Sequence, residues 1–177
     1  DVHEFVNGSG YDDYYSANAR ARVYAEGDLT GALSATASGA SSDAYLFAYA
    51  NGTLSGDLSV TASGESSDAY LVAYAGDTLD GDVTVTASGA YSAAYVGVNQ
   101  RAYTSTPVAE LTGNTFTVQA SGAYSYAYAY VGDDYDTGEG RIFSATGIAG
   151  AISVTASGAS SDADMFMTLD GSVSGDI

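Results

Sequence analysis

Apolar and polar residues alternate with a period of two along most of this chain, and the alternating stretches recur in register. The tripeptide Ala-Ser-Gly marks the register, ending at Gly39, Gly64, Gly89, Gly122 and Gly158, with intervals of 25, 25, 33 and 36 residues. Before each glycine, alternate positions are apolar: Leu33/Ala35/Ala37, Leu58/Val60/Ala62, Val83/Val85/Ala87, Phe116/Val118/Ala120 and Ile152/Val154/Ala156. Ser, Thr or Gln stands between them. Such alternation predicts a half-buried strand that ends at an Ala-Ser-Gly corner.

A second strand follows each corner. Its one face carries Ala44/Leu46/Ala48, Ala69/Leu71/Ala73, Ala94/Val96/Val98, Ala127/Ala129/Val131 and Ala163/Met165/Met167. Its other face carries Tyr45/Phe47, Tyr70/Val72, Tyr95/Gly97, Tyr128/Tyr130 and Asp164/Phe166. Arg20 and Arg22 fall on the tyrosine face in the first, divergent repeat, and unpaired charges are almost never fully buried. The Ala/Leu/Val face is therefore predicted to point inward and the tyrosine face outward. A short third element, at Leu29, Leu54, Leu79, Leu111 and Ile148, precedes each first strand and is flanked by Gly and Asp, which are turn residues.

Three strand-like pieces per 25-residue unit, with no helical period, make a unit that cannot bury its inner face alone. Stacked units can. The pattern predicts an all-β chain, a parallel β-solenoid (β-helix) of about six coils stacked about 4.8 Å apart. An antiparallel β-sandwich also accommodates short strands and turns, but it does not explain why equivalent positions keep one residue type at a fixed interval. Residues 1–18 read as an irregular N-terminal segment that is a candidate inter-subunit strand. The solenoid is expected over 19–177, with loop insertions near 99–114 and 132–147.

Gly171–Ile177 repeats the pattern of Gly52–Leu58, and Ile177 followed by Asp1-Val2 would extend it as Gly-Asp-Ile-Asp-Val. No capping helix is visible in the pattern, and uncapped strand edges are templates for adding another chain. A head-to-tail contact that does not close makes a filament. Asp1, Val2, Phe5, Val173 and Ile177 are accordingly the candidate assembly interface, with this chain itself as the partner.

Charge sharpens the picture. The chain has 22 acidic residues against four basic ones, a net charge of -18. That argues against nucleic acid or an anionic membrane as partner, since both need a basic patch. No stretch approaches the roughly 20 apolar residues of a membrane span. The absence of cysteine excludes disulfides and thiolate chemistry. The beginning at Asp1 suits a secreted chain whose signal has been removed, or an excised fragment.

Catalysis is not expected. His3 is the only histidine, and Asp43, Asp68 and Asp162 recur in register, which marks a turn and not an active site. No cofactor is required, although calcium suits the glycine-rich loop at 132–140. There Asp133, Asp134, Asp136 and Glu139 concentrate four carboxylates, and calcium takes several oxygen ligands on a flexible turn. A solvated acidic loop is the alternative. Two hydroxyl rows are expected on the outside: Ser34, Ser59, Thr84, Thr117 and Ser153, then Thr36, Thr61, Thr86, Gln119 and Thr155. Such an array resembles the faces of ice-binding proteins and is also a candidate O-glycosylation surface. Tyr45, Tyr70, Tyr95 and Tyr128, beside Phe47, Tyr130 and Phe166, form a candidate lateral interface, because a contiguous aromatic patch is unusual on a monomer.

The run Ile152-Ser-Val-Thr-Ala-Ser-Gly158-Ala-Ser-Ser-Asp162-Ala resembles the repeats of large secreted bacterial β-solenoid adhesins, the autotransporter passengers and haemagglutinin-like proteins. The resemblance covers the chain from Ala19 onward. It implies export and an extracellular or cell-surface role, with a cell surface or polysaccharide as further partners. The sequence thus leads to a structural subunit of an extracellular filament or biofilm matrix fibre. The competing class is a monomeric adhesin or an ice- or carbohydrate-binding module.

Overall fold

In the computed structural model, eighteen strands, numbered in chain order, fall into three sheets, with no helix among the described residues. The structure describes residues 2–8, 19–98, 109–112, 115–131, 145–148, 151–167, 169–173 and 176–177. The tyrosine sheet contains, in spatial order, β1 (Val2–Gly8), β2 (Ala19–Ala25), β5 (Ala44–Ala50), β8 (Ala69–Ala75), β11 (Ala93–Val98), β14 (Tyr126–Val131) and β17 (Asp162–Met167). The hydroxyl sheet contains β4 (Leu33–Ser38), β7 (Leu58–Ser63), β10 (Val83–Ser88), β13 (Phe116–Ser121) and β16 (Ile152–Ser157). The third, of short strands, contains β3 (Leu29–Thr30), β6 (Leu54–Ser55), β9 (Thr78–Asp80), β12 (Ala109–Thr112), β15 (Ala145–Ile148) and β18 (Leu169–Val173).

Every neighbouring pair is parallel except β1 on β2. The pairing obeys the repeat. Leu58 lies beside Leu33 and Val83, and Ala69 beside Ala44 and Ala94. Equivalent residues of successive repeats therefore stand one above another.

The inside-outside assignment follows from burial. Ala44, Leu46, Ala48, Leu54, Val60, Leu71, Val85 and Val96 are fully buried, and inward residues of all three sheets join in one apolar core. Tyr45, Phe47, Tyr70 and Tyr95 alternate with them and are half-buried. Inward alanines such as Ala44, Ala69 and Ala94 are buried in that core, and close-packed interiors tolerate little volume change.

The Ala-Ser-Gly corner explains itself in three dimensions. Gly64, Gly89, Gly122 and Gly158 stack with φ between 121° and 131°. A Cβ on any of them would fall on the carbonyl of the glycine one repeat below. Two residues on, Ser41, Ser66, Tyr91, Tyr124 and Ser160 take left-handed backbone with φ of 54–60°. The next residue is a buried serine in the first four corners. Ser42, Ser67 and Ser92 each donate from Oγ to the corner glycine's carbonyl at 2.6–2.8 Å.

Three segments differ from the sequence reading. Residues 1–18 were expected to be irregular, but Val2–Gly8 form a strand laid antiparallel on β2, with Val2 opposite Ala25 and Phe5 opposite Arg22. The ranges read as insertions, 99–114 and 132–147, each contain a strand of the third sheet. Glu110 and Leu111 lie beside Thr78 and Leu79, and Ile148 beside Leu111. Leu111 is in register once β12 enters the sheet. The pairing of β12 with β15 shifts by one residue between Ala109 and Glu110.

Candidate interaction faces

The outer face of the tyrosine sheet is built from columns. One runs Arg20, Tyr45, Tyr70, Tyr95, Tyr128, Asp164 in unbroken register, and the next Arg22, Phe47, Val72, Gly97, Tyr130, Phe166. A third column, Tyr24, Tyr49, Tyr74, was not singled out from the sequence, although its 25-residue spacing is the same signal. Strand pairing holds these rings at the distance where tilted or offset contacts are favourable. Tyr70 and Tyr95 have centroids 5.9 Å apart, and Tyr95 and Tyr128 stack at 5.2 Å. Tyr24 meets Phe47 at 5.2 Å and Tyr49 at 6.1 Å. The structure thus brings together Tyr45, Tyr70, Tyr95, Tyr128 and Phe47 on one face. Tyr130 and Phe166 take the register positions expected of them.

Charge marks β2 and β17, the first and last of the parallel strands of this face. The Arg20 and Arg22 guanidinium carbons lie 5.6 and 5.8 Å from the Tyr45 ring centroid, within cation–π range. At the opposite end Asp162 and Asp164 are exposed, and Tyr126 donates its hydroxyl proton to Asp164 Oδ2 at 2.9 Å. Desolvation, then this bond, pushes the Tyr126 phenol up to about 12. Tyr70 is likewise pushed up to about 12, first by desolvation and then by Asp68, to which its hydroxyl donates at 3.2 Å.

The recurring carboxylates serve the turns. Asp43 accepts from the Asp68 amide at 3.2 Å, and Asp68 from the Ala93 amide at 2.9 Å. At a second corner, before the short strands, Asp28 accepts from the Thr53 amide, and at a third, before the hydroxyl sheet, Asp57 accepts from the Asp82 amide and Asp82 from the Thr115 amide and hydroxyl. Each acid reaches one repeat along and satisfies a backbone N–H that the sheets leave over. The two Thr115 hydrogen bonds, side chain first, lower the pKa of Asp82, whereas desolvation and then the Asp68 charge raise that of Asp43.

On the hydroxyl sheet the two polar rows stand in register, Ser34–Ser59–Thr84–Thr117–Ser153 and Thr36–Thr61–Thr86–Gln119–Thr155. A stacked pair of corner tyrosines, Tyr91 and Tyr124, adds an exposed aromatic step at 5.1 Å that sequence reasoning missed.

The two ends of the stack differ. At one end β1 lies over β2, while β3 and β4 end their sheets. At the other, β16, β17 and β18 are the last strands of all three sheets. There the inward residues Val154, Ala156 and Met165 are only half-buried and Ala163 is exposed, whereas their counterparts Val118, Ala120, Ala129 and Ala127 are buried, and Met167 is half-buried too. The Ile152 N–H donates to the Asp176 carbonyl at 2.9 Å, and Ile177 follows Ile152 by one 25-residue step, exposed to 65%.

Of the candidate interface residues, Val2, Phe5 and Val173 lie in strands, Ile177 is at the exposed end, and Asp1 is outside the described residues. Asp133, Asp134, Asp136 and Glu139, the calcium candidates, also lie outside them. Among the described residues no three His, Cys, Asp or Glu side chains gather as a metal site would require. No helix among them is long and apolar enough to cross a membrane. Comparison with protein-family models, curated proteins and solved structures returned no match.

Proposed function

We propose that the chain is a three-faced parallel β-solenoid and a structural subunit of an extracellular filament or matrix fibre. It assembles head to tail by strand pairing between solenoid ends. The observation that carries this reading is the end formed by β16, β17 and β18, where three strand edges and a half-buried apolar coil coincide. Charge, a common means of blunting such edges, stands at Asp162 and Asp164 of β17, while the inward positions Ala163, Met165 and Met167 of the same strand stay apolar. A second copy presenting β3 and β4 would pair with β18 and β16 in the parallel sense used throughout the stack. Calcium belongs to the proposal as a bridge between acidic loops that offsets the repulsion of -18 charges per subunit. The resemblance to secreted adhesin repeats supports the extracellular setting. No enzymatic step is part of this reading.

Electron microscopy of the whole chain at neutral pH tests it. Unbranched fibres with an axial repeat of about 30 Å, six coils at the strand spacing, are expected. Met165→Lys places a charge on the inner face of the last coil, a device that blocks edge pairing, and should abolish the fibres while circular dichroism stays that of the parent. Dispersed particles from the parent chain would overturn the assembly. Fibres that survive chelation would overturn calcium alone.

The in-register hydroxyl rows favour a second reading, a monomeric adhesin or an ice- or carbohydrate-binding module. A flat array of regularly spaced Ser and Thr suits a repeating polar surface. That reading requires a monomer and a measurable loss of binding on substituting Thr61 and Thr86.

A further inference from the structure

We propose that the tyrosine sheet pairs face to face with the same sheet of a second copy, the two stacks running in opposite directions. From β2 to β17 the column Arg20, Tyr45, Tyr70, Tyr95, Tyr128, Asp164 spans six rungs, positive at the first and negative at the last, with uncharged Asn7 of β1 opposite Arg20 as one rung more. A two-fold axis along the strand direction, between the rungs of Tyr70 and Tyr95, reverses the rung order and keeps each column opposite itself. Arg20 then faces Asp164 of the second copy, Tyr45 faces Tyr128, and Tyr70 faces Tyr95. The contact is isologous, so both ends gain an opposite-charge pair from one surface. The other face-to-face arrangement, with the stacks running the same way, sets arginine against arginine and aspartate against aspartate, and like-charge juxtaposition is costly.

Three further facts fit. The chain has four basic residues and two of them, Arg20 and Arg22, stand at this end of this face. Among the described residues neither meets a carboxylate, and both are already held over Tyr45, so little freedom is lost on pairing. Six rungs span about 24 Å and the strands about 20 Å, which gives about 500 Å² per copy, or about 1,000 Å² in total. That reaches the lower end of specific interfaces and fits a reversible dimer. Tyrosine and arginine are also the residues enriched at interface centres.

The pairing does not rest on end-to-end assembly, and Met165→Lys isolates it. Sedimentation of that chain over rising protein concentration should give a monomer–dimer equilibrium. Photo-oxidation followed by peptide mass spectrometry should recover a Tyr45–Tyr128 cross-link. Within one copy those rungs are three steps, about 14 Å, apart, so the link reports the antiparallel contact. Adding Arg20→Asp should weaken dimerisation at least about tenfold, and adding Asp164→Arg to the same chain should restore it. Monomers at every concentration, Tyr45–Tyr45 links in place of Tyr45–Tyr128, or failure of the charge swap to rescue a chain with unchanged circular dichroism would each overturn the proposal. Fibres that form without the Tyr45–Tyr128 link would leave head-to-tail assembly standing and remove the lateral dimer.

Discussion

A methyl group on Gly89 would fall on the carbonyl of Gly64, and the φ of 128° there disfavours any side chain. Gly89→Ala is expected to cost about 3 kcal/mol or more, from combined strain and steric displacement. Gly27→Ala, with open space around the added carbon, should stay within about 1 kcal/mol. Urea unfolding of the two variants checks the contrast. Ser67 is buried and donates to the Gly64 carbonyl at 2.7 Å, so Ser67→Ala should cost about 1–2 kcal/mol by the same measurement. Tyr70 and Tyr126 add a pH dependence. Their folded-state pKa values, about 12, exceed the ordinary tyrosine value of 10.0. The folded chain therefore holds these protons more tightly than the unfolded chain. Their stabilisation is complete below pH 10 and is lost as pH rises from 10 through 12. An ultraviolet titration should show a tyrosine subset ionising late, together with a falling thermal midpoint over that window. At acid pH the two shifted carboxylates act oppositely. Asp82, lowered, contributes stability that is lost as pH falls, and Asp43, raised, contributes stability that is lost as pH rises through its folded pKa.

At the level of strands, whatever obeyed the period-two pattern could be read directly. Leu58, Val60 and Ala62 declare their inner face because polar residues separate them, and the exposure of Arg20 and Arg22 settles which side of the second strand is wet. What escaped has a physical reason in each case. Val2–Gly8 lies antiparallel, so it has no counterpart one repeat away to give its register. The repeat marks β12 and β15 at Leu111 and Ile148, but their bounds are hidden because each pairs across a register shift that breaks the fixed spacing. The buried serines were hidden by chemistry, because serine beside glycine reads as an exposed turn. Their bond to the corner carbonyl is visible only in three dimensions. The turn acids make a prediction at this scale. Asp82→Ala removes the acceptor for both the amide and the hydroxyl of Thr115. Hydrogen exchange should then speed up at the Thr115 amide while the Leu71 amide keeps its protection.

Across the whole molecule the dominant fact is a charge of -18 on a stack whose end presents apolar side chains. Attraction at the ends is short-ranged, whereas repulsion extends over a Debye length, about 30 Å at 0.01 M salt and about 8 Å at 0.15 M. On the proposed end-to-end assembly, fibre growth followed by light scattering should therefore accelerate as sodium chloride is raised between those concentrations. A rate that falls with salt would mean that attraction between charges drives growth. Resemblance and composition carried the functional reading only as far as a class. The surfaces that distinguish a fibre subunit from an adhesin are columns, visible once register is fixed.

Both long connections leave the tyrosine sheet and return at the short-strand sheet. They depart after Val98 and Val131, which are neighbours in one ladder, and re-enter at Ala109 and Ala145, which are neighbours in another. At Gly64, Gly89, Gly122 and Gly158, by contrast, a side chain would collide with the carbonyl of the glycine one repeat away. The stack therefore has one permissive seam and a locked hinge line, and foreign sequence can be threaded into the first but not the second. A ten-residue epitope added between positions 99 and 108, where the chain already exceeds its 25-residue period, should be displayed on a chain that still folds, since loop length is thermodynamically cheap. The same epitope between Gly64 and Glu65 should unfold it.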